Sequence, residues 1–334
     1  LLHTSILATQ PVVHIKNDIP AKIIDGPHES LSVSLTVVGS PGTLSGLGTV
    51  TAVNGVATFS GLQISTPFTP SESFKFRAEV VYTLNSTSVT IRRLSDTFTV
   101  FATAESIVFG VQPIGNMLSD DDLTMQPVVN ILDENNAIID MGPETNLTVS
   151  IARIGGLGGL TGTTSVVSSF GNATFTDLGI SAAGFQPSST FTIEATLDFT
   201  GDTVLSTTFT VWARAVSLFI DEDPEGECLS GANLPQQPIV HTMDQSGNRI
   251  DVGSHAVLDV TADIHAGTGG LFGGTVETSA NGIATFAGLN IDYDGPGPTF
   301  VPSGTFRIIF STSSPSLSII SPVMTIWGRA TSLI

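Results

Sequence analysis

Apolar and polar residues alternate in several short runs of this chain, at residues 74–80, 146–151 and 191–197. A period of two places successive side chains on opposite faces of a strand, and it is typical of a sheet with one buried face. Thr, Val, Ile and Phe dominate these runs, whereas Gly and Pro, 34 and 18 residues, separate them as turns. No apolar stripe recurs at helical spacing, so the pattern predicts an all-β protein.

Three sequence markers each occur three times: a Gln-Pro pair, a Gly-x-Ala-Thr-Phe motif, and a leucine within a Gly-rich stretch. Their positions are Gln10, Gln126 and Gln237 for the first, Phe59, Phe175 and Phe286 for the second, and Leu44, Leu160 and Leu271 for the third. Successive copies of the Gln and Phe markers lie 116 and 111 residues apart. A period of about 110 residues is too long for a solenoid repeat and fits one β-sandwich of about seven strands.

The repeat predicts three tandem immunoglobulin-like β-sandwich domains. Their predicted limits are residues 1–101, 102–212 and 213–326, followed by residues 327–334 as the opening strand of a next repeat or as a donor strand. Near the end of each repeat stands an aromatic residue followed by a small one, at Phe101, Trp212 and Trp327. Phe101, Trp212 and Arg214 are the predicted junction residues, with the aromatic side chain buried at the boundary and the arginine paired with an acidic neighbour.

The repeat register also makes a prediction about the two ends. Leu1 aligns with Met117, so the first domain is expected to lack its opening strand, while residues 331–334 align with the opening strand at 216–219. Two interpretations stay open: a window cut in phase from a longer covalent array, or a tail that enters the next subunit by strand addition. A boundary placed by accident would not usually preserve this match between the two ends so closely. The predicted assembly strand consists of Trp327, Arg329, Thr331, Leu333 and Ile334.

Charge narrows the classes of partner. Only 12% of residues are charged, and 11 basic residues against 30 acidic ones give a formal net charge of −19. A nucleic-acid binder needs clustered cations, so that class is excluded, and anionic membrane surfaces are disfavoured. No apolar run reaches the ~20 residues of a membrane helix, which predicts no membrane insertion. The single Cys228 excludes an internal disulfide and is either a plain thiol or a bridge to another chain.

The repeats resemble the Ig-like repeats of large secreted surface and filament proteins of bacteria and protists. Those repeats carry a similar Gln-Pro opening, an Asn-Gly-x-Ala-Thr-Phe-x-Gly-Leu centre and a Phe/Trp-Ala end. Residues 54–62 and 281–289 match the centre, whereas Phe170 and Asp177 depart from it in the second repeat. The resemblance implies an extracellular or cell-surface location, adhesion, stalk or filament roles without catalysis, and assembly of the kind found in donor-strand pili or mastigoneme-type fibres.

Candidate sites for glycans, metal ions or catalysis are few. Asn85, Asn146 and Asn172 begin N-glycosylation sequons, which also arise by chance in Ser- and Thr-rich chains. Acidic clusters containing Asp121, or Asp221 and Asp223, are calcium candidates, with a solvated acidic loop as the plainer interpretation. No other cofactor is predicted. The six histidines are scattered and no nucleophile elbow is present, so we predict no catalytic residue and no enzyme.

The predicted function is therefore a structural subunit of an extracellular filament, polymerising head to tail with itself as partner and carrying covalently attached glycans. The alternative is an adhesin stalk or ligand-binding Ig-like array cut from a longer surface protein. A third hypothesis is a non-catalytic accessory region of a secreted enzyme. With 2 Trp and 2 Tyr in the chain, carbohydrate recognition is disfavoured.

Overall fold

The computed structural model describes residue 2 and residues 5–39, 42–65, 71–181, 188–292 and 303–329. These residues form strands and two single-turn 3-10 helices, Pro143–Thr145 and Ser254–Ala256, so the predicted all-β class is confirmed. The described strands pair in three consecutive groups, which we call units one, two and three.

Unit one begins at β1 and ends at β9. Its strands are β1 (Val12–His14), β2 (Ser32–Val38), β3 (Thr43–Ser45), β4 (Thr49–Thr51), β5 (Val56–Thr58), β6 (Gln63–Ser65), β7 (Ser71–Leu84), β8 (Thr87–Leu94) and β9 (Phe98–Phe101). β1 pairs with β5, β3 pairs with β6, and the remaining strands form a sheet in the order β4-β2-β7-β8, with β9 also on β7.

Unit two begins at β10 and ends at β20. Its strands are β10 (Ser106–Val111), β11 (Met117–Leu118), β12 (Val128–Leu132), β13 (Thr148–Gly155), β14 (Leu160–Thr161), β15 (Ser165–Val167), β16 (Asn172–Thr174), β17 (Gly179–Ile180), β18 (Ser188–Leu197), β19 (Thr203–Leu205) and β20 (Phe209–Trp212). One sheet has the order β10-β12-β16 and the other β11-β20-β18-β13-β15, with β19 on β18 and a separate β14-β17 pair.

Unit three repeats the topology of unit two. Its strands are β21 (Ser217–Glu222), β22 (Cys228–Leu229), β23 (Ile239–Met243), β24 (Asp259–Ala266), β25 (Gly270–Phe272), β26 (Val276–Thr278), β27 (Ile283–Thr285), β28 (Asn290–Asp292), β29 (Ser303–Ser313), β30 (Ser316–Ile320) and β31 (Met324–Trp327). The sheets are β21-β23-β27 and β22-β31-β29-β24-β26, with β30 on β29 and a β25-β28 pair.

Pairing between described strands stays within each unit. The predicted domain limits at 101/102 and 212/213 lie in the unpaired segments between β9 and β10 and between β20 and β21; they stay predictions. The period-two alternation is explained by burial. In β18, Phe191, Ile193, Ala195 and Leu197 are fully buried, whereas the residues between them are not. Burial of alternate side chains on one face of the sheet therefore builds the core of unit two.

The recurring markers contact each other. In unit two the side-chain Nε2 of Gln126 donates to the carbonyl of Leu178 at 3.0 Å, and its Oε1 accepts from the amide of Leu178 at 3.0 Å. The same pair of bonds joins Gln10 to Leu62 and Gln237 to Leu289. The glutamine thereby satisfies the leucine amide, while the leucine carbonyl also accepts a backbone amide, in unit two that of Leu123 at 2.7 Å. Pairing of this buried amide explains why glutamine recurs at this position.

At each Gly-rich marker, one backbone segment passes in direct contact with another. Gly162 has φ +88°, and a Cβ built on it would lie 2.0 Å from the carbonyl oxygen of Asp177. Gly46 and Gly273 make the same approach, to Gly61 and Gly288. Only glycine combines this φ with this contact, so the marker reports a packing requirement and not a phosphate-binding loop.

Candidate functional site

The best-formed features outside the cores are the two joints between units. At the second joint, Trp212 at the end of β20 packs on Gly253, just before the 3-10 turn Ser254–Ala256 of unit three. A Cβ at Gly253 would lie 2.6 Å from Cγ of Trp212, and Gly253 has φ +85°. The indole therefore lies directly on bare backbone of the next unit.

The first joint is built in the same way with a different aromatic residue. Phe101 ends β9 and packs on Gly142, which precedes the 3-10 turn Pro143–Thr145 of unit two. A Cβ at Gly142 would lie 2.7 Å from Cγ of Phe101, and Gly142 has φ +98°. The phenyl ring and the indole thus hold equivalent places.

In the connecting segment after each joint aromatic, a buried backbone amide donates to a side chain of the unit that follows. At the first joint the amide of Ala104 donates to Oε2 of Glu144 at 2.6 Å. At the second joint the amide of Ala215 donates to Nδ1 of His255 at 2.9 Å. Both acceptor side chains are buried, so each bond satisfies a donor that water does not reach.

The imidazole at the second joint is held in its neutral form. Burial lowers the pKa of His255 below its ordinary value of 6.5, the Arg214 guanidinium lowers it further, and the Asp121 carboxylate opposes them. A neutral imidazole is also required for Nδ1 to accept the amide of Ala215. Geometry and electrostatics therefore favour the same protonation state.

Arg214 joins the segment after β20 to a loop of unit two. Its Nε donates to the carbonyl of Ser119 at 3.0 Å, its backbone amide donates to Ser119 Oγ at 3.3 Å, and its guanidinium forms an ion pair with Asp121. The predicted acidic neighbour is thus Asp121. An exposed ion pair contributes little stability, so we regard Arg214 as orienting the segment.

Apolar packing continues across the second joint. The core of unit two includes Ala213 and Ala215 at the joint, and also Ile250, Ala256 and Leu258 of unit three. The core of unit one is a separate cluster that extends to Val100. Apolar residues of unit three therefore extend the core of unit two across the second joint. This buried apolar surface couples units two and three.

Sequence reasoning missed the four partners of the joint aromatics and amides: Gly142, Gly253, Glu144 and His255. The two glycines, and likewise Glu144 and His255, lie 111 residues apart, which is the repeat step already established. The glycine pair could have been found from that register. The other pair was hidden because a carboxylate and an imidazole share only the ability to accept a hydrogen bond.

Among the predicted assembly residues, Trp327 ends β31, is 40% exposed, and donates from Nε1 to Glu227 at 3.2 Å. Arg329 is exposed. Thr331, Leu333 and Ile334 lie outside the described residues.

Unit one differs from the other two at the edge of β1. The equivalent strands β12 and β23 each lie between two neighbours, β10 and β16 or β21 and β27, whereas β1 pairs only with β5 among the described strands. Val13 on β1 is partly exposed, although Val129 and Val240 at the same place are fully buried. No second strand pairs with β1 among the described residues, and the absence of an opening strand in the first repeat stays a prediction.

A groove of about 440 Å³ lies beside this edge. We call it the β1 groove. Its apolar lining includes Val13, Ile15, Ala78, Val80 and Ile91, and its charged lining includes Lys16, Asp18 and Arg93. In units two and three the side chains of Ile107, Phe109 and Leu218 from the opening strands are buried in the corresponding cores.

The sequons have different surroundings. Asn85 is exposed at the turn between β7 and β8, and Asn146 is exposed directly after the first 3-10 turn. Asn172 lies within β16, and its side-chain Nδ2 donates to the carbonyl of Phe170 at 2.8 Å. Their occupancy by glycans stays a prediction.

The calcium candidates are dispersed. Asp121 pairs with Arg214, and an Asp221 oxygen lies 3.7 Å from Nε2 of His241, whose pKa is lowered chiefly by burial. In the part of the chain that the structure describes, no group of three or more His, Cys, Asp or Glu residues is arranged to hold a metal ion. Cys228 is buried, and desolvation raises the pKa of its thiol.

Comparisons with known proteins give structural likenesses at low identity. No protein-family model matches the chain, and no curated protein matches it. Protocadherin Gamma B2 extracellular cadherin domains 3–6 align over 99% of this chain and 78% of that chain, with 12% identity and a TM-score of 0.37. Because the TM-scores of the reported structures lie below 0.5, the fold assignment rests on the strand pairing described above.

Two further structures give similar values. The protocadherin GammaB4 extracellular domain aligns over 89% of this chain with 10% identity and a TM-score of 0.38, and the chain spans 45% of its length. Drosophila N-cadherin EC1-4 aligns over 97% of this chain and 76% of that chain, with 10% identity and a TM-score of 0.32. Within the described residues, no helix has the length and apolarity needed to cross a membrane.

Proposed function

We propose that this chain is a non-enzymatic stalk segment of an extracellular surface protein. In this proposal the β-sandwiches are joined in series and hold the functional end of that protein away from the cell. The observation that carries this proposal is the repeated joint: an aromatic residue on glycine and a buried amide on a side-chain acceptor, once with Phe101 and Glu144 and once with Trp212 and His255.

A repeated joint restricts the relative motion of neighbouring units. Domains in one chain move relative to each other unless their interface is large and hydrophobic. Here the joint residues Ala104, Ala215 and Ala256 are buried, and a glycine leaves no room for a side chain between ring and backbone. Stiffness along the chain is the property that a stalk requires, whereas an enzyme or a ligand-binding module would not need the same joint twice.

Small-angle scattering of the full chain tests the proposal. The wild type is expected to scatter as a stiff rod, and a Phe101→Ala, Trp212→Ala double variant as a more flexible chain with a broader distribution of end-to-end distances. Phe199→Ala is the control, because Phe199 is a 63% exposed aromatic that makes neither joint contact with glycine. Wild-type scattering that fits three freely jointed units would refute the stalk.

A second candidate function is head-to-tail polymerisation, in which one copy of the chain is the partner of the next and a strand completes unit one. The unpaired edge of β1 and the adjacent groove favour it. An exposed edge with unpaired N–H and C=O groups is a template for strand addition. A contact of this kind is heterologous and therefore builds an open filament unless it closes into a ring. Glycans on exposed sequons such as Asn85 are compatible with both functions.

A further inference from the structure

We propose that the outer face of unit one binds the outer face of unit two in a second copy of this chain, with Arg77 of one copy paired to Glu194 of the other. The outer face is the side of the β4-β2-β7-β8 sheet in unit one, and of the equivalent β18-β13-β15 sheet in unit two, that points away from the core. The contact joins copies side by side, so it goes beyond the stalk function and does not depend on head-to-tail polymerisation.

The acidic charge of the chain is concentrated outside unit one. Residues 1–101 contain six basic and six acidic residues, whereas residues 102–212 contain one basic and twelve acidic residues. Four of the six basic residues of unit one lie on two neighbouring strands, at Lys75 and Arg77 of β7 and at Arg92 and Arg93 of β8. Copies of an acidic chain repel each other, so a contact between them requires a basic patch of this kind against an acidic one.

Arg77 lies on the outer face of unit one with its charge unused. Phe74 and Phe76 of β7 are buried in the core, so alternation along the strand directs Arg77 to the opposite side. Within the described ranges Arg77 takes part in no ion pair, and its Nε has no hydrogen-bond partner. The outward carboxylate two residues further along, that of Glu79, is paired with Arg92 instead. The guanidinium of Arg77 is therefore available to a partner.

Glu194 on β18 holds the place in unit two that Arg77 holds on β7. Arg77 lies opposite Leu94 of β8, and Glu194 lies opposite Leu205 of β19. In each unit the residue before the charged one donates its amide to the Oγ of the serine that follows this leucine, at 2.9 Å in unit one and 3.1 Å in unit two. The equivalent residue of unit three is the apolar Ile309, opposite Ile320. Units one and two thus carry opposite charges at one position of the same sheet.

The outer face of unit two has an excess of negative charge. Among the residues that the structure describes, Glu194 takes part in no ion pair. Asp198, just beyond the end of β18, adds a second carboxylate to this face and accepts from Ser150 Oγ at 3.1 Å. The guanidinium of Arg153 donates to the carbonyl of Gly156. The carboxylate of Glu194 is therefore not neutralised within its own unit.

Apolar side chains flank the charged position on both faces. Leu94 is 52% exposed and Leu205 is 54% exposed, each directly beside the charge. On the other side of the charge lie the short side chains of Thr36 in unit one and Ala152 in unit two. When the two faces meet, the leucines leave water and the ion pair is shielded from it, which strengthens the attraction between the charges.

Sedimentation of the full chain tests the contact. At low ionic strength wild type is expected to form concentration-dependent species larger than the 34.6 kDa monomer. These species are expected to dissociate at about 1 M salt, where the Debye length is about 3 Å. Arg77→Glu and Glu194→Arg each place like charges opposite one another, so each is expected to weaken association about tenfold or more. Arg307→Glu and Glu225→Arg make the same changes at exposed positions of unit three, and these controls should associate like wild type.

Mixing the two weakened variants gives the sharpest result. Arg77→Glu carries glutamate on both faces and Glu194→Arg carries arginine on both, so contacts between unlike copies again pair opposite charges. The mixture should associate although neither variant does so alone, and the double variant Arg77→Glu, Glu194→Arg should associate like wild type.

Three results would overturn the proposal: a monomeric wild type, association of Arg77→Glu equal to wild type, or failure of both the mixture and the double variant to associate. Salt-sensitive retention of a monomeric wild type on immobilised heparin would assign the basic face to an anionic polymer instead. Rod-like scattering from a monomeric wild type would leave the stalk function standing while the contact between copies failed.

Discussion

The indole of Trp212 lies against Gly253 so closely that the smallest possible side chain at that glycine would overlap Cγ of the ring, at 2.6 Å. Phe101 and Gly142 repeat this contact at the first joint. The glycine is therefore required by the neighbouring unit as well as by its own positive φ. The two causes can be separated by experiment.

Gly253→Ala is expected to destabilise the protein more than Gly247→Ala. Both glycines have positive φ, +85° and +78°, but a Cβ at Gly247 meets nothing within 4 Å. Gly253 combines φ +85° with ψ −177°, a region essentially restricted to glycine, so backbone strain there costs about 1–3 kcal/mol. Overpacking against Trp212 adds about 1–3 kcal/mol at Gly253 alone. Scanning calorimetry of the two variants measures the difference, and equal shifts in melting temperature would show that the indole contact is not tightly packed.

The second joint is expected to weaken on acidification because the pKa of His255 is lowered by burial and by Arg214. The unfolded chain takes up the proton more readily than the folded protein. Stability is therefore fully present above the ordinary pKa of 6.5 and is lost as the pH falls through the lowered folded value. Thermal melts between pH 7.5 and 5 would measure this loss.

His255→Gln provides the comparison, since a glutamine Oε1 can accept the amide of Ala215 without titrating. We expect a smaller loss of stability on acidification than in wild type. His265→Gln, at an exposed position of β24, is the control and should titrate like wild type. Because His241 also has a pKa lowered by burial, some dependence is expected in every variant. A pH profile unchanged by His255→Gln would contradict the assignment.

Phe170→Asn is expected to stabilise unit two. The residues at this position in units one and three are Asn54 and Asn281, with φ 48° and 52°, and Phe170 adopts φ 49° while 69% exposed. Asparagine tolerates this conformation better than phenylalanine, and an Asn-Gly pair suits the two-residue turn. The expected gain is about 1 kcal/mol, seen as a higher melting temperature. Phe199→Asn should show no such gain.

Glycosylation is expected at Asn85 and not at Asn172. Asn85 is exposed on a hairpin turn, whereas the Asn172 amide is engaged with the Phe170 carbonyl inside β16. Peptide mapping of protein secreted from a eukaryotic host would locate the glycans. Asn85→Gln should remove the mass of one glycan, and Asn172→Gln should leave the glycan mass unchanged. A glycan on Asn172 alone would reverse this interpretation.

The residues buried in the sandwiches could be predicted because their pattern is local. Phe191, Ile193, Ala195 and Leu197 alternate within one strand, and burial of one face of a sheet requires that alternation. The same holds for Phe59, Phe175 and Phe286, whose repeat step identified them as one position.

The sequence by itself determined the class, the period and the buried face, since each depends on spacing along one strand or on repetition of a whole domain. Only the tertiary structure decided which side chains meet at the joints. Ala104 and Glu144, and Ala215 and His255, lie 40 residues apart, and a hydrogen bond across that distance depends on how the connecting segment folds onto the unit that follows it. A carboxylate and an imidazole can both accept that bond, so the equivalence of Glu144 and His255 is visible in the structure and not in the residue types.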